Sequence, residues 1–255
     1  MEQENIELKQ EPKQEIATIS AEDLSADAGA GLENVTPEDL IIPQLKLVQK
    51  NSPMVDPNEG GYIQGVKVGD IVNNVTGEHY DGEKGITVVP VAYRRVFLEF
   101  QDRDVGGGLV QIHSNPNVLM NTTLKNGKDT LEGGNYIQTT ANHYIIQLEG
   151  DKATPLMVAM ASTQLKKSRR WNSIMAGIRM NDSKGETFTP ASYSHTYQLC
   201  STPEKNSKGS WYGWKIDLVG RLGELSVYNQ AKTFAQSINT EVEAITEKEV
   251  HVDAF

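Results

Sequence analysis

Cysteine is nearly missing from this chain: one thiol, Cys200, stands in 255 residues. A single thiol excludes an internal disulfide framework and any cysteine-rich zinc site. Long apolar runs are missing as well, and nothing approaches the roughly 18 residues that a membrane-spanning helix needs. The opening MEQENIELKQ is acidic and has no apolar signal core, so the expected location is cytoplasmic, away from any membrane. Catalytic signatures are equally scarce. There is no G-x-S-x-G elbow, and no two of His79, His113, His143, His195 and His251 stand three or four residues apart. Gly106-Gly107-Gly108 lacks the Lys-Ser/Thr that a phosphate loop requires. Asp102 and Asp104 around Arg103 read as a polar loop, and Cys200 reads as a packed thiol. The expectation is a protein that is no enzyme and uses no metal or cofactor.

The charge is distributed unevenly. The net value is -10 at neutral pH. Residues 1–40 hold 11 acidic side chains against 2 lysines, and residues 239–255 hold 5 against 1. The body between them is therefore basic, most of all over 165–221, with 10 Lys/Arg against 4 Asp/Glu. Such a body attracts polyanions, and acidic arms compete with them.

Residues 1–40 contain no aromatic ring and read as a disordered acidic arm, with a helical turn at Thr36-Pro37-Glu38-Asp39. The folded domain spans 41–238 and opens on a strand at Leu45–Gln49. Short alternating stretches at Tyr62–Val66, Asp70–Asn73, Ile86–Val91, Arg95–Gln101 and Asn142–Leu148 read as strands between glycine-rich breaks. Pro90 marks an edge or a bulge. Asp104–Gly134 is too irregular to assign and reads as an excursion, and Pro155–Ala161 is a buried run. Ala191–Ser201 and Ser210–Val219 read as a hairpin, Ser226–Asn239 as a helix, and 239–255 as a disordered acidic C-terminal tail. The fold class is mainly β with helical elaborations, a small OB-like β-barrel or a sandwich.

Thr163–Gly177 organises the rest. Lys166, Lys167, Arg169 and Arg170 fall within five positions, and Trp171 follows them. At 100° per residue the cations sweep one arc, while Leu165, Trp171, Met175 and Ile178 gather opposite. Thr163 is the expected N-cap and Gly177 the expected end. Either this is a solvated face, or it is a phosphate-binding ridge. Single-stranded nucleic acid asks for a cationic groove and for flat rings on which bases stack. Arg179, Lys205, Lys208 and Lys215 add cations nearby, and Trp171 and Trp211 are candidate platforms. Alternation puts Tyr212 and Trp214 on the face that continues into Ile216 and Leu218, which assigns them to the core and Trp211 to the outside.

The acidic C-terminus ends in Phe255, and with Glu241, Glu243, Glu247, Glu249 and Asp253 it resembles the tip of bacterial and phage single-stranded-DNA-binding proteins. The body resembles phage-encoded members with an OB-type barrel, through IPQLKLVQKNSP, STQLKKSRRWNSI and SKGSWYGWKI. The resemblance covers roughly Ile41 to Gly220. It implies a protein that coats single-stranded DNA without sequence readout during phage DNA replication or recombination, in the host cytoplasm. It also implies replication or recombination partners docking on Glu247, Glu249, Asp253 and Phe255, and it leaves homo-oligomerisation open. The rival reading is a phage virion or assembly protein with a protein-binding β-domain. A remoter one is a nuclease-like enzyme.

Overall fold

The computed structural model describes residues 19–35, 41–207 and 209–252, with side chains as far as residue 239 except Arg103. The chain forms two compact units, divided between Ile41 and Ile42. The first holds one short helix, α1 (Ala21–Ala26). Ser20 and Asp23 cap it reciprocally, each side chain accepting from the other's backbone N–H. The sequence reading places no helix before Thr36, so this capped turn is a departure from it. The Thr36–Asp39 turn lies outside the described residues.

The second unit is mainly β, its sheet curled into a half-barrel. The strands are β1 (Gln44–Leu47), β2 (Ile71–Asn73), β3 (His79–Tyr80), β4 (Ile86–Phe100), β5 (Leu109–His113), β6 (Thr122–Lys125), β7 (Lys128–Leu131), β8 (Tyr136–Glu149) and β9 (Lys152–Ala161). Helix α2 (Leu165–Gly177) follows, then a small pair, β10 (Met180–Asn181) and β11 (Thr187–Phe188). The hairpin β12 (His195–Asn206) and β13 (Gly209–Arg221) and helix α3 (Leu225–Val252) complete the unit. The main sheet runs β13-β12-β4-β8-β9-β1-β2-β3, with β5 beside β4 and β7-β6 beside β8. Among the described residues, only the β1–β9 pair is parallel.

β4 explains the architecture. Its β-branched run Ile86-Thr87-Val88-Val89 favours an extended chain, and a continuous apolar run suits a strand covered on both faces. Ile86 and Val88 join Ala141, Ile145, Leu156, Trp171, Tyr197 and Trp214 in the core beneath α2. Val89 and Val91 turn the other way, to Ile146 and to Val227 and Ala231 of α3. Pro90 sits where the β4–β8 register shifts, so its missing N–H is accommodated at an irregularity.

The two ends of the sheet meet through a side-chain amide and a single main-chain bond rather than a ladder. Gln49 Nε2 donates to the Tyr212 carbonyl at 2.9 Å, and the Tyr212 N–H donates back to Gln49 Oε1 at 2.8 Å. One amide thus imitates a strand residue. The Ser201 N–H donates to the Gly82 carbonyl at 2.7 Å. Only glycine fits at 82, since a Cβ there would lie 1.8 Å from the Gly69 carbonyl oxygen.

Several expectations need correction. Tyr62–Val66 is turn and loop, not strand, because Gly60-Gly61 and Gly65 break its alternation. Ile86–Val91 and Arg95–Gln101 are one strand, since nothing between them demands a turn. Tyr193 lies in a 3-10 turn before β12 and packs on Tyr228 at 5.0 Å. The last helix runs to Val252 rather than stopping at Asn239, because residues 239–252 contain no glycine or proline and are rich in helix formers. The stretch expected to be a disordered tail is therefore helical backbone as far as Val252.

His143 offers a test of the core. It is 1% exposed, shares a 2.8 Å hydrogen bond with Ser168 Oγ and stacks on Trp171 at 4.5 Å. Burial lowers its pKa from 6.5 to about 3. Between those values the unfolded chain binds a proton that the folded chain refuses, so stability falls as pH drops through that window. The thermal midpoint of the wild type should therefore fall more steeply below pH 6.5 than that of His143→Gln. Equal pH slopes would show that His143 is not held neutral.

Candidate nucleic-acid interface

Helix α2 sorts its side chains as its wheel dictates. Lys166, Arg169 and Arg170 are exposed, and Ser168 and Trp171 are buried. Leu165, Ile174 and Met175 pack against the same core. Trp171 is 0% exposed and lies between His143 and Tyr197. No base can stack on it, which removes it from the expected contact set. The ring instead fixes which arc of α2 faces water. Thr163 is not the cap: a 3-10 turn, Ser162–Gln164, leads into the helix, and Gln164 occupies the cap position without a side-chain cap bond. Arg179 caps the other end, donating to the carbonyls of Ala176 at 2.6 Å and Ile178 at 2.9 Å. A guanidinium there complements the negative end of the helix dipole, and Arg179 is turned to that task.

Glu204 joins the helix to the hairpin. Lys167 Nζ lies 2.5 Å from its Oε1, and the Trp211 indole N–H donates to its Oε2 at 2.9 Å. Burial works to raise the Glu204 pKa, but the bonds from Lys167, Trp211 and Gln164 outweigh it and hold the carboxyl below the ordinary value. Lys167 and Trp211, two expected contacts, are thus both tethered to one carboxylate. Trp211 remains half-exposed and Trp214 is buried, as expected, whereas Leu218, expected on the core face with Trp214, is 45% exposed. Gly213 leaves the room for this cluster: a Cβ there would lie 2.7 Å from the Glu204 carboxyl carbon. Gln164 Oε1 accepts the Trp214 N–H at 2.9 Å, so Gln49 and Gln164 bond the outer edge of β13 at Tyr212 and Trp214.

Between α2 and β13 lies a cleft of about 150 Å³. Trp171, Ile174, Trp214 and Ile216 line it with apolar surface, and Lys167, Arg170, Lys215 and Asp217 supply its charges. Lys215 bonds Asp217 at 2.8 Å, and that hydrogen bond raises the lysine pKa above its ordinary value. Lys205 is exposed on β12. Lys208 lies outside the described residues, as do Asp253 and Phe255. Glu247 and Glu249 lie on the helical backbone of α3. The structure therefore brings together Lys166, Lys167, Arg169, Arg170, Trp211 and Lys215.

Sequence reasoning missed Gln164 and Glu204. Nothing marks Gln164 in the sequence. Glu204 carried one signal, a lone carboxylate in the lysine-bearing loop STPEKNSKGS. Burial raises the Cys200 thiol pKa, as fits a packed cysteine. Among the described residues, no group of three or more His, Cys, Asp or Glu side chains could hold a metal ion.

A family described as Pam3 phage gp34-like protein matches residues 13–243. The chain belongs to this family. Comparison with curated proteins and with solved structures found no match. Membership in the family makes this a phage protein with a β-rich body, and no helix among its described residues is long and apolar enough to cross a membrane.

Glu204 is the test of this phage protein's tether. Glu204→Ala leaves the indole N–H and the Lys167 ammonium without their partner. It should cost about 1–3 kcal/mol of stability and shift tryptophan emission to the red. Glu204→Gln keeps an acceptor for Trp211 and should cost less. Equal losses in the two variants would mean that the ion pair, not the indole bond, holds the hairpin.

Proposed function

We propose that this protein binds and coats single-stranded DNA without sequence specificity during phage DNA replication or recombination. The observation that carries the reading is the pairing of an exposed cationic arc, Lys166, Arg169 and Arg170, with an adjoining cleft walled by Lys167, Arg170 and Lys215 over the half-buried Ile174 and Ile216. A polyanion needs such an arc, and an unstacked base or sugar suits an apolar cleft. In this reading the curled sheet is the counterpart of an OB-type barrel, and binding proceeds without catalysis or cofactor. The acidic C-terminal residues, with Phe255, would dock replication or recombination proteins and compete with DNA for the cations.

A second reading, a virion or assembly protein, is favoured by one observation. Exposed apolar side chains gather around β5 and β6, including Ile112 at 53% and Leu124 at 75%.

Oligo-dT titration followed by tryptophan fluorescence at several salt concentrations separates the two. Each phosphate contact on a single strand contributes a log–log salt slope near -0.7, so Lys166→Ala/Arg169→Ala/Arg170→Ala should flatten the slope by about 2. These side chains are exposed, so the fold should survive. Binding with an unchanged slope would return α2 to a merely solvated face. No binding by the wild type at low salt would favour the assembly reading.

A further inference from the structure

Three buried rings stand in contact beneath α2. Tyr197 meets Trp171 at 5.7 Å, and Trp171 meets His143 at 4.5 Å. A fourth ring continues the row to the surface. Tyr93, on β4, lies 5.1 Å from His143 at a tilt of 56°, and it is 36% exposed where the other three are at most 1%. Tyr93 and His143 are cross-strand partners in the β4–β8 ladder, and so are Arg95 and Ala141. Ala141 belongs to the core beneath α2, so Arg95 stands on the same face as Tyr93. Arg94, between them, turns to the other face and donates to the Ile238 carbonyl. Arg95 is exposed and bonds no described residue. β4 is also open beside these two side chains. β12 pairs with it only at Ile86, Thr87 and Val88, and β5 only from Phe97 onward. Among the described residues, no strand flanks Tyr93 and Arg95 on the side away from β8.

We propose that Tyr93 is a base-stacking platform and that Arg95 holds the adjoining phosphate, on a single strand of DNA that crosses α2 from the cleft to this stretch of β4. The proposal rests on the single-stranded-DNA reading and extends its contact surface. Stacking asks for a ring with one face free and the rest held still. Tyr93 is backed by a row of buried rings, so little side-chain freedom is left to lose when a base arrives. Two residues along a strand are about 7 Å apart, a span that a base and its own phosphate bridge. The site also gives Arg169 a place, since the cleft does not use it. Arg169 follows Ser168, whose hydroxyl bonds His143 at 2.8 Å, and that bond sets this turn of the helix against Tyr93's stretch of β4. The one carboxylate of β4, Glu99, is already held by His113 at 2.8 Å and by Asn135 at 2.6 Å. A phosphate on Arg95 therefore meets no free carboxylate from its own strand.

Photocrosslinking and titration of the full chain test the site together. Oligo-dT bearing 5-iododeoxyuridine should crosslink to the tryptic peptide 85–94, in which Tyr93 is the only aromatic ring. Tyr93→Leu keeps an apolar cover on His143 and should weaken oligo-dT binding about five- to a hundredfold, with an unchanged salt slope. Tyr93→Phe keeps the ring and should bind like the wild type. Arg95→Ala should flatten the log–log salt slope by about 0.7. Thermal midpoints close to the wild type would confirm the fold of each variant. A wild type that binds DNA, with Tyr93→Leu binding equally well or with crosslinks confined to the Trp211 peptide, overturns the platform and leaves the DNA reading standing. A Tyr93→Phe loss as large as that of Tyr93→Leu overturns it too, since the hydroxyl and not the ring would be the contact. An unchanged slope in Arg95→Ala overturns the phosphate contact. No binding by the wild type overturns the DNA reading itself and this site with it.

Discussion

The burial of Trp171 is the contact on which the basic face depends. Its ring is sealed between the His143 imidazole at 4.5 Å and the Tyr197 ring at 5.7 Å, and Ser168 one turn earlier bonds His143. Those contacts come from β8, β12 and α2 together, so they lock the helix in rotation as well as in place. With that rotation set, the 3.6-residue period decides where each cation points. Removing a core tryptophan costs about 3–5 kcal/mol, more than the fraction of a kcal/mol that a solvated cation contributes. Packing thus determines the display of charge, and charge does not determine the packing.

The same region shows how an edge strand is managed without a barrel ladder. β13 offers main-chain donors and acceptors that no neighbouring strand claims on its outer side. Gln49 answers at Tyr212 and Gln164 answers at Trp214. Two amide side chains replace a strand, and the space between β13 and α2 stays free as a cleft. Glu204 then ties the hairpin to the helix through Lys167 and Trp211. The face is therefore a built surface with a fixed shape, crossed by one carboxylate that a nucleic-acid backbone would have to displace or tolerate.

Much of this was legible in the sequence because it depends on local periodicity. The α2 wheel, the β12–β13 hairpin, the separation of Trp211 from Trp214 and the bulge at Pro90 all follow from spacing within a few residues. What the sequence hid is non-local. Gln49 and Tyr212 are 163 positions apart, and His143 and Ser168 are 25 apart; no pattern within a window reports either pair. Trp171 shows the limit within one element. Its place on the apolar arc was readable, yet only the partners across the core decide that none of the ring is left for a base. Alternation misled at Tyr62–Val66, where turn glycines prevail, and the polar composition after Asn239 concealed a run of residues with nothing in it to stop a helix.

The central claim is that α2 and the β12–β13 hairpin form one surface for single-stranded DNA. Amide hydrogen exchange of the full-length protein, with and without a saturating oligo-dT, tests it most directly. The account predicts slowed exchange over Leu165–Gly177 and over the paired ends of β12 and β13 around Glu204 and Trp211, with β5–β7 unchanged. Slowing confined to the β5–β7 wing, or none anywhere while the oligonucleotide is bound, would contradict it.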